Sequence, residues 1–119
     1  MHEMSIVESL LAMVQAEMDS RGCGRLESVH VVYGAMAGIV PESLQMCFEI
    51  MTKDTPNEGA RLELTCLPVR LRCGGCGTVF GGEGREALWQ PCPVCGETFG
   101  HAVEQGRELY LKRLEAWPA

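Results

Sequence analysis

The sequence predicts an α+β fold: a three-stranded sheet with two helices, interrupted by a zinc-ribbon-like insert. Three observations point to it. Two segments carry apolar residues at helical spacing, and three others alternate or run β-branched. A glycine-rich stretch between the last two strands is bracketed by two Cys-x-x-Cys pairs. The 119 residues are 46% hydrophobic and 22% charged, enough for a core and too ordinary for a disordered chain.

The first helix is expected from about Ser5 to Ser20. Val7, Leu10, Leu11, Val14 and Met18 form one apolar stripe. Ser5-Ile6-Val7-Glu8 has the form of a capping box with Ser5 as N-cap, which leaves His2 in a free or strand-adjacent leader. Gly22 and Gly24 end the helix. Val29-His30-Val31-Val32-Tyr33 reads as a strand, and Gly34 to Gly38 as a loop. Pro41 suits the first turn of a second helix, with Leu44, Cys47, Phe48 and Met51 inward as far as about Lys53. Ala60 to Cys66 alternates, with Leu62, Leu64 and Cys66 on the buried face, and a bend is expected at Pro68. Glu108 to Glu115 reads as the third strand, with a short helix as the competing reading.

Residues 1–69 and 103–119 are thus assigned to the α+β domain and residues 70–102 to the insert. Gly74 to Gly84 holds six glycines and almost no periodic pattern, so burial alone does not organise it. The two copies of Cys-x-x-Cys-Gly do: Cys73 and Cys76, then Cys92 and Cys95, with fifteen residues between the pairs. Two residues between thiols let one tight turn set both at ~2.3 Å from one ion, and two such knuckles complete a tetrahedral S4 set that selects zinc. The site has no open position, so Zn(II) there is structural and contributes to folding. The glycine after each pair permits a positive φ that turns N–H groups toward sulfur. Seven cysteines, an odd number, without a secretory signal read as metal ligation in a reducing cytoplasm rather than as disulfides.

Several other residues have ordinary readings. Cys47 and Cys66 are expected in the core and Cys23 in a turn. Phe80, Trp89 and Phe99 are expected to pack the zinc module, His30 to be a satisfied strand histidine and His101, six residues after Cys95, a solvated loop residue, with a spare metal ligand or a pH-sensitive neighbour of the zinc site as the competing reading. The helical methionines Met13, Met18, Met46 and Met51 fill gaps or offer an adaptable surface.

Net charge is −6, and residues 70–102 hold three Arg against three Glu, so the excess acid belongs to the α+β part. That balance argues against nucleic acid, which needs a basic face. No apolar run is long enough for a membrane helix. A nucleic-acid-associated or adaptor zinc ribbon is a reading that the quartet alone permits. A catalytic zinc enzyme needs an open coordination position and an acid or base, and closed knuckles offer neither.

His2 follows the initiator directly, and its bulk disfavours removal of Met1. The Met1 α-amine, the His2 amide and imidazole and the Glu3 amide are then a nitrogen set suited to tetragonal Ni(II) or Cu(II). The opening Met1-His2-Glu3-Met4-Ser5-Ile6-Val7 resembles the start of the HypA/HybF family of hydrogenase-maturation nickel chaperones. The resemblance continues through Val29-His30-Val31-Val32-Tyr33-Gly34, through Pro41-Glu42-Ser43-Leu44 with Cys47-Phe48-Glu49, and through the two cysteine pairs to the closing strand. It implies Ni(II) held as transient cargo at Met1, His2 and Glu3, and zinc at Cys73, Cys76, Cys92 and Cys95. It also implies delivery to the large subunit of [NiFe] hydrogenase with a HypB-type GTPase as partner. In some members an acidic residue near the start of the second helix approaches the nickel, and Glu42 is the candidate for that place. Short hinges near Val69 and Val103 leave a homodimer by domain swapping open.

Overall fold

A computed structural model describes residues 3–119. The elements in order are α1 (Glu3–Ser20), β1 (Cys23–Gly34), α2 (Pro41–Thr52), β2 (Arg61–Leu67), β3 (Val69–Arg72), β4 (Val79–Gly82), a 3-10 turn (Arg85–Trp89), β5 (Ala102–Gln105) and β6 (Leu109–Pro118). Two three-stranded sheets form, ordered β2-β1-β6 and β4-β3-β5.

The first sheet is mixed. Gly34 N–H donates to Glu108 O and Ala119 N–H to Gly22 O, at 2.8 and 2.9 Å, so β6 runs antiparallel to β1. Contacts to β2 ascend together instead, from Arg61 at Glu27 to Thr65 at His30. β2 is therefore parallel to β1, and α2 is the crossover such a pair requires. The long final strand replaces the helix that Glu108 to Glu115 also allowed.

The chain divides into two compact units. The first comprises the chain up to Val31, Ile39–Thr65 and Tyr110–Ala119, and the second Val32–Gly38 and Cys66–Leu109. The core of the first is the stripe of α1 (Val7, Leu10, Val14, Met18) against Leu44 and Phe48 of α2, with Leu26, Val29, Val31 and Leu62 from the sheet. Each fully buried side chain of this size contributes about 1.5–3 kcal/mol. Leu111, Leu114 and Ala116 of β6 pack against it. The second unit has a small core: Val69, Leu71, Phe80, Ala87 and the thiol-bearing Cys73 and Cys92.

Four expectations about elements need correction. α1 begins at Glu3, so Ser5 lies inside the helix and is not its N-cap. The leader expected to hold His2 falls on Met1 and His2, which lie outside the described residues. β1 runs twelve residues rather than five, and Cys23 is its first residue, not a turn residue. Cys66 is exposed, because the inward alternation of β2 stops after Leu62 and Leu64 as the strand approaches Pro68. Finally, the glycine-rich stretch does hold regular structure: β4 pairs antiparallel with β3, Phe80 opposite Leu71 and Gly81 opposite Arg70.

Candidate metal centre

The two Cys-x-x-Cys-Gly segments fold as near-copies. In each, the N–H of the glycine closing the turn donates to the carbonyl of the first cysteine, Gly77 to Cys73 at 3.0 Å and Gly96 to Cys92 at 2.9 Å. The first cysteine's own N–H donates to the residue beyond the glycine, Cys73 to Thr78 O at 2.8 Å and Cys92 to Glu97 O at 3.0 Å. Both glycines have φ of 78°, the left-handed region that a Cβ disfavours. Amide hydrogens also point at sulfur: Gly75 and Cys76 at Cys73 Sγ, at 3.3 and 3.4 Å, and Val94 at Cys92 Sγ at 3.4 Å.

The knuckles bring all four sulfurs within 4.8 Å of one another. Cys73 Sγ lies 3.4 Å from Cys95 Sγ, and Cys76 Sγ 3.6 Å from Cys92 Sγ. A zinc ion with Zn–S of ~2.3 Å sets tetrahedral S···S edges near 3.8 Å, so the quartet fits a tetrahedral ion with little movement. Its electrostatics favour a cation. The Thr78 hydroxyl, 3.1 Å from Cys76 Sγ, and the Thr78 amide draw the Cys76 thiol down to about 6. The Cys76 and Gly75 amides lower Cys73. At Cys95 the Glu97 amide favours the thiolate, but hydrogen bonds with the neighbouring thiols, Cys73 first, and burial push it up to about 12. Four thiolates at this spacing repel one another, and a divalent ion at their centre cancels that repulsion.

His101 is not a solvated loop residue. Gly74 N–H donates to its Nδ1 at 3.2 Å, and its Nε2 lies 2.9 Å from Glu97 O, so the ring bears its hydrogen on Nε2. It thereby bridges the two knuckles, and it meets Phe80 edge-on with centroids 5.0 Å apart. Phe80 packs the module as expected. Trp89 and Phe99 do not, being 83% and 81% exposed. No signal in the sequence separates them from Phe80, which alone sits on the inner face of a strand. The missed residues here are Thr78 and His101. The short spacing Cys76-x-Thr78 could have revealed the first, and the six-residue step from Cys95 is the local hint of the second.

At the other candidate site, Met1 and His2 lie outside the described residues. Glu3 opens α1, and its Oε2 faces the N–H of Val40 at 3.5 Å. Val40 is the N-cap of α2 and has no side-chain cap of its own. The starts of the two helices therefore meet, with Glu42 exposed in the first turn of α2. His30 contacts Thr65 Oγ1 at 2.7 Å; its buried Nδ1 has no hydrogen-bond partner among the described residues, and Glu63 Oε2 lies 3.9 Å from it. Cys47 is half-buried against the core, and Met18 is buried while Met13 and Met46 are exposed. No helix among the described residues is long and apolar enough to cross a membrane.

Comparison with known proteins agrees with this architecture. A family model described as "Hydrogenase/urease nickel incorporation, metallochaperone, hypA" matches residues 1–116. The hydrogenase maturation factor HypA of Solidesulfovibrio magneticus is 45% identical over 115 residues, covering 97% of this chain and 98% of that protein. The HypA of Lawsonia intracellularis is 42% identical over 116 residues, with the same coverage. In fold, the chain is similar to the solution structure of the Ni metallochaperone HypA from Helicobacter pylori, with a TM-score of 0.65 at 24% identity over the full length of both chains. A second HypA solution structure gives a TM-score of 0.70 at 25% identity, over 100% of this chain and 98% of that one. The chain belongs to the HypA family of nickel-incorporation metallochaperones, which are maturation factors and not enzymes.

Proposed function

We propose that this chain captures Ni(II) through Met1, His2 and Glu3 and delivers it to the large subunit of [NiFe] hydrogenase. In this reading, a HypB-type GTPase is the cytoplasmic partner, and Zn(II) in the Cys73, Cys76, Cys92 and Cys95 quartet is structural. The observation that carries the reading is the meeting of the two helix starts, with Glu3 at Val40 N–H. It sets the described end of the tripeptide beside the first turn of α2, where Glu42 offers a carboxylate to complete a nickel set that the terminal nitrogens begin. The α-amine, two amides and an imidazole close adjacent chelate rings on one ion, an arrangement suited to tetragonal Ni(II). A site at the rim of a folded unit loads and unloads without breaking a core, as a carrier's site must. The quartet has the opposite character: four sulfurs close the coordination sphere and leave no position for exchange.

Elemental analysis of the untagged chain after exposure to excess Ni(II) and desalting tests the reading, with His2→Ala run beside it. The expected result is one zinc in both and one nickel in the parent alone. Equal nickel in both overturns the terminal site. Glu42→Gln is expected to weaken nickel binding and leave zinc unchanged.

A further inference from the structure

α2 buries Leu44, Phe48 and Thr52 and turns Glu42, Met46, Glu49 and Ile50 to the outside. These four recur at steps of three and four, so they share one face. A helix face kept for water is lined with charged and polar residues that pair at that spacing. This one is not. Met46 and Ile50 stand one turn apart and are 62% and 57% exposed. The carboxylates of Glu42 and Glu49 make no hydrogen bond or ion pair among the described residues, although Lys53 lies four residues after Glu49.

Charge selects what covers this face. α1 carries Glu3, Glu8, Glu17 and Asp19, and neither helix contains a Lys or Arg. The cations of the same unit lie outside the helices. Arg21 and Lys53 follow the helix ends, and Arg25, Arg61, Lys112 and Arg113 are on the strands. A second copy would set these carboxylates against their own kind. Nucleic acid and an anionic lipid surface meet the same sign. A protein segment with Lys or Arg around an apolar pair meets the opposite sign. A helix suits the shape, because a ridge at four-residue spacing such as Met46–Ile50 seats in the groove of another helix. Methionine adapts to the contact it finds.

We propose that the outer face of α2 docks a cationic amphipathic helix of another protein. Met46 and Ile50 make its apolar contacts, and Glu49 makes its charge contact. Docking requires no nickel. Where the terminal nickel site proposed above holds, the docked helix begins one turn along from Glu42. The partner then meets the cargo beside the carboxylate that completes its ligand set. That consequence alone rests on the proposed function.

The test uses the zinc-loaded full chain. The probe is a synthetic helical peptide with leucines one turn apart among lysines, beside a twin with Glu for every Lys. The lysine peptide is expected to shift the amide NMR signals of Met46, Glu49 and Ile50, and the twin to leave them in place. Fluorescence anisotropy should give a dissociation constant that rises with salt. Met46→Ser with Ile50→Ser should raise it on the order of a hundredfold, and Glu49→Lys about fivefold. These positions are exposed, so both variants should keep the parent's helix content, zinc and nickel. Variants that bind like the parent overturn the proposal. So do equal binding of the two peptides and shifts confined to other elements. Shifts at α2 on concentrating the chain alone assign the face to a second copy, and shifts with anionic phospholipid vesicles assign it to a membrane; either result overturns it. His2→Ala separates this proposal from the nickel reading, since it should dock the peptide unchanged. Lost docking in His2→Ala overturns the proposal. Nickel retained there overturns the terminal site and leaves the docking face standing.

Discussion

Replacing His101 with alanine removes two hydrogen bonds that tie one cysteine knuckle to the other, from Gly74 N–H and to Glu97 O, together with the edge contact on Phe80. Each bond contributes about 1 kcal/mol net and the ring contact about 0.5–1.5 kcal/mol. His101 is half-buried, so water recovers part of this, and about 2 kcal/mol is the expected loss. None of the four thiols is touched. The loss should therefore appear as weaker metal holding, since an ion that organises a unit takes its affinity partly from that unit's folding. At 1.4 kcal/mol per tenfold, the zinc dissociation constant should rise about thirtyfold. Competition against a chromophoric chelator measures it. His101→Gln, whose amide can both accept and donate, should recover part of the loss. An alanine variant that holds zinc as tightly as the parent would refute the bridging role.

Three other outcomes are expected. Phe48 is 1% exposed at the centre of the first unit, and Phe48→Ala should cost about 3–5 kcal/mol in chemical denaturation, a large share of a small domain's stability. A Cβ at Gly81 would sit 1.8 Å from Val69 O across the β3–β4 pair, so Gly81→Ala should cost about 1–3 kcal/mol and weaken zinc holding with it. Stripping the metal with a strong chelator should collapse amide-exchange protection in Val69–Arg72 and Val79–Gly82 while α1 and α2 stay protected; uniform loss in both units would contradict the division.

The helices and the cysteine knuckles were legible because each obeys a local rule. Val7, Leu10, Val14 and Met18 repeat at helical spacing and are all buried. The glycines of Cys-x-x-Cys-Gly both adopt positive φ. Rules that need a tertiary partner failed. Ser5 and Glu8 had the form of a capping box, yet the helix reaches Glu3, whose carboxylate meets Val40, thirty-seven residues away. The stretch from Cys23 to Ser28 lacks the alternation of a strand, but pairing on both sides holds it extended. β4 escaped because it ends in two glycines, which strand propensity rejects; the close approach of Val69 O to Gly81 requires one of them. Apolarity alone places Trp89 and Phe99 inward, but it does not distinguish a buried aromatic from an exposed one.

The two units differ in what holds them together, and under the proposed function that difference suits two kinds of metal handling. The first unit's core is built wholly of ordinary side chains from α1, α2 and the sheet. The second unit's six-residue core counts two cysteine ligand candidates, Cys73 and Cys92, among its members. Removing an ion from that quartet would strip the charge balance from thiols that are themselves core. A metal held there would be best kept permanently, and the closed geometry of the knuckles suits that. The described core of the first unit begins at Ile6 and Val7, beyond the terminal tripeptide. Under the proposed function, cargo gained or lost at Met1, His2 and Glu3 would leave that core intact, and the chain would cycle nickel without cycling its fold.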